Sequence, residues 1–378
     1  MSIKKALASA GLCLALAVPA AAETVRLSPG GETTYKTVQQ KGDIDYAGAK
    51  PAPMPQLRTA PRSQLEMLAK PASPRFPAPP ELTPGGEGDG REDPVILAVP
   101  QAGAEDELPA PPEFGTSGQP YTTTLEDLAK ADPQRRAGKI FFKDRGETFV
   151  CSGALIDRGL ILTAAHCVAQ FGARRFFDNW RFVPGYRNGS APYGEWKTQT
   201  AFVPKSYHDG TAFCTTAGVT CENDVAILVA EPKGGDYPGQ RVGWFGYGTN
   251  GFGFTPLGQT LVAQLGYPTS LNRGQRMIRT DSQGGVDGSL ADNTIIGSLQ
   301  TGGSSGGPWI INFGDAASLS EGLKRGSRAN RNVIIGVTSW GYVGTGAGIK
   351  QQGAAPLTSQ NLGVLVKDAC KKVPRACS

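Results

Sequence analysis

An all-β body, closed by one C-terminal helix and preceded by a Pro-rich disordered leader, is the architecture that this 378-residue sequence predicts. Three observations point to it. Of the 29 prolines, 19 fall in the first 135 residues, so that stretch is ill suited to a packed core and the folded unit must lie beyond it. From Lys139 onward, short apolar runs such as Phe149-Val150, Ala154-Leu155-Ile156, Leu160-Ile161-Leu162, Val225 to Val229, Trp309-Ile310-Ile311 and Val333-Ile334-Ile335 are separated by Gly, Asn, Asp and Pro, the pattern of a many-stranded antiparallel protein. Leu362, Leu365, Val366 and Ala369 then fall at helical spacing, with Ser359 as the expected cap.

At the N-terminus, Lys4 and Lys5 precede an apolar run from Ala6 to Val18, and Ala20-Ala21-Ala22 supplies the small residues that a signal peptidase needs. Residues 1–22 read as a signal peptide cut before Glu23, and the protein as secreted or periplasmic. The run is shorter than the roughly 20 residues of a spanning helix, so no membrane span is expected after its removal. Residues 23–136 read as a Pro-rich propeptide or linker, mostly disordered, with runs such as Pro77-Ala78-Pro79-Pro80. An amphipathic piece from Leu125 to Ala131 suits docking on the folded unit, residues 137–378, and Arg135-Arg136 offers a dibasic cleavage site between the two.

Charge excludes some partners. With 38 basic and 33 acidic residues the net charge of +5 is too weak to indicate nucleic acid, and no long single-sign run suits a polybasic membrane patch. Once Cys13 leaves with the signal, six cysteines remain, which in an exported chain favours three disulfides. Cys151 and Cys167 each lie eight residues from Gly159, so a hairpin turning at Asp157-Arg158-Gly159 sets them opposite each other. Cys214 with Cys221 and Cys370 with Cys377 would then close two short loops, although fifteen pairings are formally open. There is no close C-x-x-C pair and histidine is scarce, so no metal and no cofactor are expected.

Three segments carry the chemistry. His166, one of two histidines, ends an apolar strand and precedes a half-cystine in Thr163-Ala164-Ala165-His166-Cys167, a rigid place for a general base. Asp224 heads the apolar strand of Asn223-Asp224-Val225-Ala226-Ile227-Leu228; a buried carboxylate needs a donor, and the His166 Nδ1 proton would serve. In Thr301-Gly302-Gly303-Ser304-Ser305-Gly306-Gly307-Pro308 glycines bracket a serine, allowing close approach of a substrate and aiming successive N–H groups at one point.

In the order His, Asp, Ser, these segments resemble the chymotrypsin-like (trypsin-like) serine proteases over roughly residues 137–378. The histidine motif matches residue by residue, Gly303 to Pro308 matches G-D-S-G-G-P in all but one position, and Ser339-Trp340-Gly341 matches a fourth family segment. The resemblance implies two six-stranded antiparallel β-barrels with the site between them. His166, Asp224 and Ser305 would be the triad, the Gly303 and Ser305 N–H groups the oxyanion hole, and Ser339, Trp340 and Gly341 a strand that pairs with a polypeptide substrate. Leu299 and Gln300 would stand at the specificity pocket.

Departures from the family carry information too. Ser304 stands where zymogen-type members have an aspartate, and no Ile-Val-Gly-Gly is present, so activation by that ion pair is not expected. Thr301-Gly302-Gly303 and Gly266-Tyr267-Pro268 look like the bacterial exported branch related to glutamyl endopeptidases. Leu299, six residues before Ser305, replaces the aspartate of trypsins, and Thr338-Ser339 precede Trp340 where glutamate-specific members have a histidine; His208 lies elsewhere. A neutral or apolar P1 residue is expected. Gly246 to Gly251 fits a dinucleotide fingerprint formally, but Gly253 and Pro256 follow where a helix should begin. Arg174, Arg175 and Arg181 among Phe176, Phe177 and Trp180 read as a loop with buried aromatics, not a nucleic-acid surface. The reading is an exported serine endopeptidase; the alternative is a catalytically silent protease-fold binding module in the cell envelope.

Overall fold

Short apolar strands joined by tight turns bury their surface most completely when the sheet closes on itself, and the chain does this twice. The computed structural model describes residues 23–25, 32–38, 40, 42–54, 78–98, 120–212, 222–287, 293–314, 331–341 and 350–378; the signal peptide, Cys214 and Cys221 lie outside them. The first barrel comprises β1 (Ala137–Asp144), β2 (Glu147–Leu155), β3 (Leu160–Thr163), β4 (Asp178–Pro184), β5 (Trp196–Pro204) and β6 (Ala226–Ala230). Its antiparallel order is β5-β4-β1-β2-β3-β6, and β6 pairs back onto β5 to close the ring.

The second barrel comprises β7 (Gln259–Gly266), β8 (Ile278–Asp287), β9 (Asn293–Gly297), β10 (Pro308–Ile311), β11 (Val333–Gly341) and β12 (Gln351–Pro356). It runs β10-β7-β8-β9-β12-β11, closed by β11 on β10. The two closed six-stranded barrels are those that the sequence implies. The terminal helix α1 (Leu362–Lys372) packs on β6, which is why every residue of that strand is buried and its sequence does not alternate. Its cap is Asn361 and not Ser359: the Asn361 carboxamide accepts from the Leu362 N–H.

Two expected disulfides are present, Cys151–Cys167 across the β2–β3 hairpin and Cys370–Cys377 after α1. The Gly246–Thr249 segment is a strand lying parallel to β11, as befits a β-connection and not a nucleotide loop. The arginine cluster is neutralised from within: Arg181 pairs with Glu195 and Arg175 with Asp144, while Trp180 is fully buried.

Described parts of the leader lie on the barrels. Thr33–Thr37 lies antiparallel on β5 where β5 runs past β4, Lys50–Pro51 lies parallel on β2 where β2 runs past β3, and Tyr121–Leu125 lies antiparallel on β8 where β8 runs past β9. Each covers a strand edge that the barrel leaves open, and an added edge strand tolerates proline. Ala129 is buried, so the Leu125–Ala131 piece is docked. Arg136 is buried as well, its guanidinium donating to both Asp132 oxygens at 2.7 and 2.6 Å and to the Trp244 carbonyl at 3.0 Å, so the dibasic pair is not presented as an open cleavage site.

Candidate active site

His166 sits in a single 3-10 turn, Ala165–Cys167, immediately after β3. The disulfide ties this turn to β2, and the Trp180 indole N–H donates to the Cys167 carbonyl at 2.9 Å. Asp224, 2% exposed, precedes β6 and reaches the same turn: one oxygen accepts from the His166 backbone N–H at 2.9 Å, the other lies 2.8 Å from Nδ1. A carboxylate so desolvated needs several donors, and the third is the Ser339 hydroxyl at 2.5 Å. Its charge, together with burial, holds the neighbouring Tyr207 phenol well above its usual pKa, burial being the larger cause. The orientation leaves Nε2 as the other imidazole nitrogen, buried and without a hydrogen-bond partner among the described residues.

The serine loop reaches this place from the second barrel. Gly306 donates to the Thr338 carbonyl at 2.7 Å, the Ser305 carbonyl accepts from Ser152 N–H at 2.7 Å, and Cys167 Sγ lies 3.7 Å from that carbonyl. Gly306 has φ +76°, and a Cβ there would strike the Thr163 hydroxyl, so the glycine lets the loop lie on the residues preceding His166. Gly303, at φ +99°, is needed for the same reason: a Cβ would strike the Tyr267 carbonyl. Among the described residues, the Gly303 and Ser305 N–H groups donate to no backbone carbonyl, whereas the intervening Ser304 N–H is taken by Thr301.

The two serines are thereby told apart. Ser304 Oγ donates to the Thr301 carbonyl at 2.7 Å and receives the Gln352 amide at 3.2 Å, while Ser305 Oγ is buried with no partner among the described residues. Two of the expected pocket residues make side-chain contacts inside the protein. Gln300 turns inward, its Nε2 lying within 3.4 Å of the carbonyls of Gln264 and Ile278 and of the Thr280 hydroxyl. Ser339 holds Asp224 with its side chain, whatever its backbone does. Leu299 is partly exposed, and the Trp340 indole donates to Asn293 at 2.7 Å inside the barrel.

Two residues were not singled out from the sequence. Ser152 braces the loop by donating to the Gly303 carbonyl at 2.8 Å while accepting from Tyr267 N–H at 3.0 Å; its place beside a half-cystine was the available signal. Gln352 had no signal, because it becomes visible only when β12 is laid beside β11. The sulfurs near His166 are joined to each other, which removes both as thiolate metal ligands.

A carboxylate, an imidazole and an unpartnered serine on two abutting barrels define the class, and the family model described as Trypsin matches residues 129–361. The chain belongs to the trypsin family, the trypsin-like serine proteases. It is 30% identical over 118 residues to a glutamyl endopeptidase of Bacillus licheniformis, covering 31% of this chain and 32% of that one. It is 28% identical over 134 residues to a protein named extracellular metalloprotease of Bacillus subtilis, covering 35% of each. The chain thus spans about a third of the length of these curated relatives. Similar solved structures include the protease Anisep of Arthrobacter nicotinovorans, with 24% identity, a TM-score of 0.49, and coverage of 65% of this chain and 96% of that one. A Glu endopeptidase matches with 18% identity, a TM-score of 0.43, and coverage of 66% and 95%.

Proposed function

We propose that the protein is an exported serine endopeptidase that hydrolyses polypeptides through His166, Asp224 and Ser305 and an acyl-enzyme intermediate. The observation that carries this is the carboxylate of Asp224, buried and holding both the backbone N–H and the Nδ1 of His166, so that the tautomer with a basic Nε2 is the one available. Ser305 Oγ would pass its proton to Nε2 while attacking the scissile carbonyl. The imidazolium, stabilised by Asp224, would then protonate the leaving amine. The C–N bond breaks, and water repeats the sequence to release the acid and return the proton to Ser305. The free N–H groups of Gly303 and Ser305 are suited to the oxyanion.

The described disulfides favour an oxidising compartment, in keeping with residues 1–22 as a signal peptide. Leu299 in place of the trypsins' aspartate, and Thr338-Ser339 in place of the histidine of glutamate-specific members, support a neutral or apolar P1 residue. Labelling of purified protein with a fluorophosphonate, alongside Ser305→Ala and Ser304→Ala, tests the assignment. The expected result is one label, on the peptide containing Ser305, absent only from Ser305→Ala. A label that persists in Ser305→Ala would refute it.

A further inference from the structure

The cleft between the barrels holds part of the chain itself. After Lys50–Pro51 pairs with Phe149-Val150, the Ala52 N–H donates to the Val150 carbonyl at 3.0 Å. The leader then passes over the serine loop: a Cβ on Gly302 would stand 3.1 Å from Pro51 and 3.6 Å from the Ala52 carbonyl oxygen. Met54 arrives at the second barrel, its Sδ 3.6 Å from Gln352 Nε2 and 3.0 Å from where a Gly341 Cβ would be. Ala52 is 2% and Met54 5% exposed, and they lie over the loop in which Ser305 Oγ has no contact with water.

We propose that leader residues 50–54 occupy the substrate groove, with Met54 in the place of the substrate's specificity side chain, so that the chain inhibits itself and its pocket takes unbranched, uncharged side chains of the methionine or glutamine type. This rests on the serine endopeptidase reading above. Gln352 sets the chemistry of the pocket. Its Oε1 is held by Gln264 Nε2 and lies 3.4 Å from Ser298 Oγ, which turns Nε2 toward Ser304 and Met54 as a fixed, neutral donor. A thioether or a carboxamide oxygen accepts from such a donor, whereas the ammonium of lysine, being only a donor, does not, and a carboxylate would bring a charge that this neutral donor does not balance.

The leader is held as an occupant and not as a substrate. Among the described residues no leader carbonyl takes the N–H of Gly303 or Ser305, so no peptide bond is polarised for attack. Anchors outside the cleft fix the segment: the Tyr46 hydroxyl donates to Glu195, which pairs with Arg181 at 2.9 Å, and the Asp45 N–H donates to Thr148 Oγ1 at 3.2 Å. Pro51 and Pro53 lower the conformational entropy lost when the segment is fixed.

The test uses the full chain and two readouts. Hydrogen peroxide oxidation of Met54, followed by peptide mass spectrometry, should be at least about tenfold slower in the folded protein than in urea, because a buried thioether is shielded. Fluorophosphonate labelling at Ser305 should be at least about tenfold faster in Met54→Asp and Met54→Ala than in the unaltered chain, a factor of ten being 1.4 kcal/mol in favour of the closed form. Met54→Gln should stay within about threefold of the unaltered chain. Oxidation at the unfolded rate, or equal labelling of the unaltered and Met54→Asp chains, would overturn the proposal and leave the endopeptidase reading standing. A protected Met54 with no variant labelled at Ser305 would instead sink that reading, and the inhibitory claim with it.

Discussion

The two barrels share one strand order and differ in what fills them. The first is packed with aromatic and aliphatic side chains, among them Phe141, Phe142, Phe182, Phe202 and Trp180, all essentially without solvent contact. The second carries buried Gln264, Thr280, Ser298, Gln300, Thr338 and Gln352, and Gln264 on β7 reaches both Thr338 on β11 and Gln352 on β12, strands that are not its neighbours. An apolar interior supplies stability without preference for side-chain orientation. A buried polar network fixes orientation, because each member left unpaired is costly. The first barrel thus carries His166 and Asp224 at its rigid edge, and the second holds the polar network that reaches Ser304 through Gln352.

Substitutions should separate these roles. The largest effect is expected at Asp224→Asn, which presents the wrong hydrogen-bond pattern to His166 and should lower kcat for a reporter ester by about 10^4-fold. Steady-state kinetics, in a Met54→Asp background so that the groove is open, checks it. Next, Phe182→Ala in the first barrel should cost about 3–5 kcal/mol in urea unfolding, as a large buried ring is replaced by a cavity. Gln264→Ala in the second barrel should cost only about 1–3 kcal/mol, from the partners left unpaired, yet shift the P1 profile measured with a peptide library. If the two interiors responded alike in both assays, the division of labour would be wrong.

The smallest effect concerns Lys139 on β1, whose ammonium is buried, donates at 2.8 Å to the Gly274 carbonyl between β7 and β8, and stands over the rings of Phe141 and Tyr186. Burial brings its pKa down to about 7. Between there and the roughly 10.4 of an unfolded lysine, the unfolded chain binds the extra proton, so stability should rise with pH across that window. Lys139→Met should flatten that part of the urea-midpoint profile.

The residues proposed as the triad, and the first disulfide, could be picked out because their signals are local. His166 and Cys167 are neighbours in one motif, Asp224 sits at the head of a recognisable strand, and Gly303 to Pro308 is a single turn. The terminal helix was legible from its spacing, though its cap moved two residues, to the side chain that reaches the first free N–H. What escaped depends on register between distant segments. No local pattern says that Thr33–Thr37 will meet β5, that Met54 will meet Gln352, or that Gln300 will turn into the barrel. Proline enrichment in the leader argues against a packed core of its own. It did not show that barrel edges would supply what the leader lacks.

The most direct measurement is the intact mass of the chain, followed by peptide mapping, after brief exposure of the Met54→Asp protein to an activated ester at mildly acidic pH, where the slow return of water leaves the acyl group in place. One acyl group per chain, carried by Ser305 and released when the pH is raised, is the predicted result. Acylation elsewhere, or peptide hydrolysis that continues unchanged in Ser305→Ala, would contradict the serine mechanism.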